Sequence, residues 1–171
     1  MRTNNPYTPP LGRTKKSPAL KELDRIANIA DREKHPNIDP RFLAPRLFYD
    51  NNTGRFTTAV VEFLRLSGHQ AERIHTTGRP IDRRKTFTDV LGNRRQIGRI
   101  EWVPTTGTRG SADISATIYG ASVKIELKIG RDKQSEAQKN YQRAVETAGG
   151  YYVIVHTFQE FFDWYHKTFE Q

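Results

Sequence analysis

Ser111-Ala112-Asp113-Ile114 and, a short distance on, Ile125-Glu126-Leu127-Lys128 are the two stretches that decide how this chain is read. Val123, Ile125, Leu127 and Ile129 alternate with Lys124, Glu126 and Lys128, and side chains two apart in a strand share a face. The segment predicts a strand with one apolar and one charged face, on which Glu126 and Lys128 are neighbours. The preceding residues 112–119 alternate in the same way through Ile114, Ala116 and Ile118, and Gly120-Ala121 predicts a two-residue hairpin loop. With Tyr119 opposite Ser122, Asp113 faces Lys128 and Ser115 faces Glu126. Asp113 then shares the face of Glu126, one diagonal step away, about 7 Å at the backbone. A three-residue loop would turn Asp113 to the opposite face, because a one-residue slip inverts every side chain.

Two carboxylates on one face suit a hard cation such as Mg²⁺, which takes one or two carboxylates together with waters and substrate phosphate. Lys128 would orient or deprotonate an attacking water, or offset the charge of a pentacovalent phosphate. An acidic-x-Lys triplet by itself equally describes the solvated face of an edge strand with a surface ion pair. Here it keeps company with a Gly-rich approach, Thr105-Thr106-Gly107-Thr108-Arg109-Gly110, and with a Gln-bearing segment downstream, Gln134-Ser135-Glu136-Ala137-Gln138.

In that order the chain resembles the PD-(D/E)XK nuclease superfamily, closest to its virus-type replication-repair nuclease (VRR-NUC) domain. That pattern is Gly-x-x-Asp, then Glu-x-Lys, then a helix with a Gln, matched here by Gly110 to Asp113, Glu126 to Lys128, and Gln138. The resemblance covers about residues 51–171. It implies an α/β fold with a restriction-endonuclease-like core, a mixed β-sheet flanked by helices. It also implies Mg²⁺- or Mn²⁺-dependent cleavage of DNA, with Asp113 and Glu126 as metal ligands and Lys128 and Gln138 assisting catalysis, Gln138 by a hydrogen bond to the nucleophilic water or scissile phosphate. Branched or flapped DNA in replication, recombination or repair is the substrate it points to. The chain departs from the family pattern at one place: a further metal-binding Glu often found near the start of the helix before the sheet would fall near Thr53, and Glu62 is the only acid within that helix.

The 171 residues carry a net charge of +9, enough chain for one core with an appendage. Residues 1–55 hold 11 basic and 6 acidic side chains, residues 56–99 hold 9 and 4, and residues 100–171 hold 8 and 9, so positive charge sits upstream of the acidic motif. A nucleic-acid enzyme needs that division, since Lys and Arg attract the phosphate backbone while carboxylates build a cation site. No helix joins a broad apolar face to a Lys/Arg-rich one, and there is neither a spanning apolar run nor a leader pattern, so no membrane partner is expected. The absence of cysteine removes disulfide and thiolate chemistry and accords with a cytoplasmic location. The five histidines show no pairwise ligand spacing for zinc.

Along the chain, residues 1–16, with Pro6, Pro9, Pro10 and four basic residues, read as a flexible basic N-terminal extension. Ser17-Pro18 predict a helix start, continued by Leu20, Leu23, Ile26, Ala27 and Ala30, and Pro36, Pro40 and Pro45 mark an irregular connector to residue 50. Residues 51–171 form the nuclease-like domain. It comprises a helix at 54–67, a strand at 70–76, a hairpin of 85–89 with 96–102 around Gly92-Asn93, the two motif strands, a helix at 134–148 and a strand at 151–156. Thr157-Phe158-Gln159-Glu160 is a capping box opening a last helix, whose Phe158, Phe161, Phe162, Tyr165 and Phe169 read as core or as the interface of a homodimer. The hairpin's Arg83, Arg84, Lys85, Arg94, Arg95 and Arg99 suit either a wing on duplex DNA or a solvated ribbon whose charges deter edge pairing. The expected function is a metal-dependent deoxyribonuclease. The alternative is a catalytically silent nucleic-acid-binding protein retaining the fold.

Overall fold

Ser17 caps the first helix, accepting from Leu20 N, with Pro18 in the first turn, so α1 (Pro18–Lys34) begins where those residues predict. The structure, a computed structural model, describes residues 16–75, 78–103 and 107–170. Of the predicted N-terminal arm only Lys16 lies among the described residues, and it is engaged: its Nζ is 2.5 Å from Asp24 and lies over the Tyr49 ring at 4.3 Å. The Pro-rich connector holds a 3₁₀ turn at Pro40–Phe42 and is tied back to α1. Asn28 both donates to and accepts from the Arg46 backbone at 2.9 Å, and Asp24 accepts from Phe48 N at 2.8 Å.

The next helix, α2 (Thr53–Leu66), is capped by Asn52 and followed by Gly68 at φ +82°. Chain order then runs β1 (Gln70–Arg73), four ribbon strands β2 (Arg79–Asp82), β3 (Lys85–Thr88), β4 (Arg94–Ile97) and β5 (Ile100–Val103), then β6 (Ile114–Ile118) and β7 (Ala121–Leu127). Helix α3 (Glu136–Thr147), β8 (Tyr151–Val155) and α4 (Phe158–Phe169) complete it. The architecture is mixed α/β: a sheet ordered β1-β6-β7-β8, antiparallel except for the parallel β7-β8 pair, flanked by helices. No helix among the described residues is long and apolar enough to cross a membrane.

The turn between β6 and β7 is Tyr119-Gly120, not Gly120-Ala121: Ile118 pairs with Ala121 and Thr117 with Ser122. Both turn residues have positive φ, 47° and 83°, the requirement of a type I′ turn. Because the loop keeps two residues, the faces stay as predicted while the partners shift. Ser115 lies opposite Lys124, and continuing the register brings Asp113 opposite Glu126 instead of Lys128. Ile114, Ala116 and Ile118 of β6 and Val123, Ile125 and Leu127 of β7 enter one core with residues of α1, α2 and α4. Leu20, Leu23 and Ala27 make α1 part of that core. The other sheet face carries Ser115, Lys124, Glu126, Lys128 and Tyr152 and is met by α3, none of whose residues is buried.

The ribbon strands form their own pairs, β2 with β5 and β3 with β4, in one continuous register, and none joins the main sheet. The predicted hairpin therefore exists but is longer, spanning residues 79–103. Within the core, Phe63 is the hub of an aromatic cluster, edge-on to Phe158, Phe161, Phe162 and Tyr165 at 5.1–5.9 Å between ring centroids. Phe63→Ala is expected to cost about 3–5 kcal/mol of stability, and Phe63→Leu less, because truncation leaves a cavity that four rings border. Urea unfolding checks it; a loss below 1 kcal/mol would mean that α4 repacks onto α2 without its central ring.

Candidate active site

Glu126 near the C-terminal end of β7 and Lys128 just after it lie on the face away from the core, yet both are buried, 2% and 4% exposed. Lys128 Nζ is 2.9 Å from Glu126 Oε1 and 3.3 Å from Asp132 Oδ2. Gln138 spans the pair: its amide Nε2 donates to Glu126 Oε1 at 2.5 Å, and its Oε1 accepts from Lys128 Nζ at 3.2 Å. The same Oε1 accepts from Ser135 N at 2.9 Å while Ser135 Oγ accepts from Gln138 N, a reciprocal capping box that opens α3. Thus one glutamine both starts the helix and reaches across to the sheet.

Asp113 is half-buried just before β6. Its Oδ2 accepts from Leu127 N at 2.9 Å, which holds the carboxylate against the neighbouring strand beside Glu126. The sequence-expected set of Asp113, Glu126, Lys128 and Gln138 is therefore brought together at one place. The Gln138 amide contacts Glu126 and Lys128. Glu62 is elsewhere, paired with Arg46 at 2.9 Å on the α1 side of the molecule. Asp132, which the sequence did not single out, completes the surroundings of Lys128; it follows β7 in a loop with no periodicity to mark it.

The residues around Lys128 open into a cleft of about 520 Å³ whose lining includes Arg109, Gly110, Lys133, Ser135 and Gln138. Gly110 makes this cleft possible. At φ +83° it lies so close to α3 that a Cβ would sit 2.4 Å from the carbonyl of Ala137 and 2.8 Å from Gln138 N. Gly110 thus packs against the first turn of the helix, three residues before Asp113; Thr105 and Thr106 of the Gly-rich approach lie outside the described residues.

Burial pushes the Glu126 carboxyl above the usual range, against the pull of Lys128 and with help from the Asp113 charge. For Lys128, burial acts downward, but the hydrogen bond and charge of Glu126, joined by Asp132, outweigh it and the ammonium titrates above its ordinary value. Tyr152, beside the pair on β8, is pushed up to about 12 by burial and then by the Glu126 charge, so its phenol stays protonated.

Among the described residues, Glu126 Oε2, Tyr152 Oη and the cleft-lining Ser111 Oγ are buried without a hydrogen-bond partner. An unpartnered buried carboxylate oxygen is costly and fits a cation ligand. Among the described residues no group of three or more His, Cys, Asp and Glu side chains converges. Asp113 and Glu126 are the carboxylates that β6 and β7 bring side by side, and Mg²⁺ sites in general take one or two carboxylates from the protein. No family model, curated protein or solved structure matches the chain.

Two outcomes follow from this geometry. Gly110→Ala should destabilise the protein by about 2 kcal/mol or more, since it adds left-handed strain to a collision with helix backbone. Amide exchange in residues 135–139 should rise at the same time; an unchanged melting temperature would mean that α3 gives way freely. For pH, the native state binds a proton on Glu126 more tightly than the unfolded chain does, so stability falls as pH rises from the unfolded carboxylate value through the raised folded one. Glu126→Gln should lack that part of the slope in urea titrations run upward from the ordinary carboxylate range. Parallel profiles for the two proteins would show that burial does not perturb the carboxyl.

Proposed function

We propose that this chain is a divalent-cation-dependent deoxyribonuclease built on a PD-(D/E)XK-type core. The observation that carries the reading is the buried Glu126-Lys128-Gln138 cluster, with Asp113 opposite Glu126 and one carboxylate oxygen unpartnered, at a cleft bordered by Arg109 and Lys133. Buried charge is expensive to maintain for stability alone, because well-packed apolar residues serve as well or better. Its position beside a cleft lined by Arg109, Lys133, Asp132 and Glu136 favours a chemical use.

Asp113 and Glu126 would hold Mg²⁺ or Mn²⁺, which when bound polarises a phosphate oxygen and acidifies water. Lys128, held charged by Glu126 and Asp132, acts as a fixed cation and donor toward the negative charge that accumulates on phosphorus during hydrolysis; a raised value makes it a poor base. Gln138 keeps Glu126 and Lys128 in register with each other. Arg109 and Lys133 bring the DNA backbone to the cleft by phosphate contact.

Incubation of the purified chain with supercoiled plasmid, with Mg²⁺ or Mn²⁺ and with chelator, tests this directly. Asp113→Asn and Glu126→Gln should each lower cleavage by orders of magnitude without loss of fold, since each removes one anionic ligand at nearly constant volume. Lys128→Met should bind DNA and fail to cut it. Tight DNA binding with no cleavage by the wild type under any divalent cation would replace this reading with that of a nucleic-acid-binding protein on the same fold.

A further inference from the structure

The ribbon at residues 79–103 is left unexplained by the cleft. Val90 and Leu91 at its tip are 102% and 79% exposed, and Phe87 and Ile97 behind them are also exposed. Single exposed apolar residues are ordinary, but two adjacent ones at the end of a projecting ribbon cover nothing in the fold. Their presentation is rigid. Asp89 Oδ1 accepts from Leu91 N at 3.0 Å and Asn93 N at 2.9 Å, Asp89 N donates to Asn93 O, and Asp89 Oδ2 holds Arg95 at 2.6 Å.

The ribbon also carries seven basic and three acidic side chains. Each acid is already matched, Asp82 by Arg84, Asp89 by Arg95 and Glu101 by Arg83. Arg79, Lys85, Arg94 and Arg99 have no carboxylate partner among the described residues. An apolar tip and free cations together fit either an anionic membrane or duplex nucleic acid, and the spacing separates these. At about 3.3 Å per residue, Arg99 lies roughly 20 Å and Arg79 roughly 33 Å from the turn. Both are well beyond a Debye length of about 8 Å, so a flat membrane reached by the tip would feel Arg94, one residue from the turn, but neither of these. Arg79, Lys85 and Arg99 share one face of the ribbon, while Arg94, opposite Thr88, is on the other; a duplex lying along the first face would meet three of the four, and a DNA groove admits a two-stranded ribbon.

We propose that residues 79–103 are a duplex-DNA arm: its unpaired cations follow the phosphates, and Val90-Leu91 enters a base step as an apolar wedge, unstacking and bending the DNA. Apolar wedges used by architectural proteins work in this way, with unstacking offset by the extra contacts of bent DNA. The held turn means that little conformational freedom is lost on insertion. The proposal shares its ligand with the proposed nuclease function but does not depend on cleavage.

The test uses the full chain in chelator, with a duplex carrying 2-aminopurine at one step and an end-labelled pair to report bending. The wild type should raise 2-aminopurine fluorescence and bring the ends together. A Val90→Ser, Leu91→Ser double variant should bind within about threefold, since phosphate contacts dominate affinity, and lose both signals. Arg79→Gln, Lys85→Gln, Arg94→Gln and Arg99→Gln together should weaken binding to all sequences and flatten the slope of log affinity against log salt by about 0.9 per cation that touches a phosphate. Wild-type binding with no fluorescence change, a cation variant with an unchanged salt slope, or a tip variant that loses only binding to phosphatidylserine vesicles would each overturn the proposal. Unstacking without Mg²⁺-dependent nicking would leave the arm standing and remove the nuclease reading.

Discussion

The register of β6 against β7 is the constraint on which the rest of the molecule depends. Tyr119 and Gly120, both at positive φ, hold Ile118 opposite Ala121 and so send Ile114, Ile125 and Leu127 into the core while Lys124, Glu126 and Lys128 face away. Tyr119 is strained there, at about 1–2 kcal/mol for a side chain in the left-handed region. A slip of one residue would drive three charges into an apolar core, at several kcal/mol for each ion. The larger cost settles the turn. The Tyr119 ring also gains contacts with His69 and Phe169, at 4.7 and 6.2 Å between centroids.

One sheet face is thus sealed by three helices, and the other is left to α3, a helix with no buried residue. Its attachment includes a few specific contacts: the Gln138 bridge to Glu126 and Lys128, the close approach of Gly110 to Ala137, and the Tyr141-Tyr152 ring contact. A helix held in this way opens more readily than one seated on a core. The arrangement makes the cleft wall adjustable while the strand bearing Glu126 and Lys128 stays anchored by Ile125 and Leu127 beneath it. Rigid floor and movable wall are separate consequences of one alternating strand.

Much of this was legible in the residues because period-two alternation leaves no choice of face: Glu126 and Lys128 had to lie together once Val123, Ile125 and Leu127 were read as core. The start of α1 was equally plain in Ser17-Pro18. The exact turn was not, since a tyrosine at positive φ has no compositional signature and Gly120 fits either loop. The Thr157 capping box is half as read: Thr157 accepts from Glu160 N, but the Glu160 carboxylate reaches back one residue further, to His156 N. The true box, Ser135 to Gln138, was present as Ser-x-x-Gln but hidden by starting the helix at Gln134. The partner of Glu62 depends on Arg46, sixteen residues away across an irregular connector, and no local pattern predicts such a pairing.

In chain order the ribbon lies between β1 and β6, which are neighbours in the sheet, and Ile74 N, just after β1, donates to Asp113 O at 2.7 Å. The ribbon's reach of roughly 33 Å at 3.3 Å per residue equals about ten base pairs at 3.4 Å each. On the proposed reading, a duplex is followed along that length by the ribbon's cations and deformed at its tip. A duplex that already contains a flexible or interrupted step would bend there at least cost. Selection of DNA by deformability, without a base read, then follows from an apolar tip on a cationic ribbon.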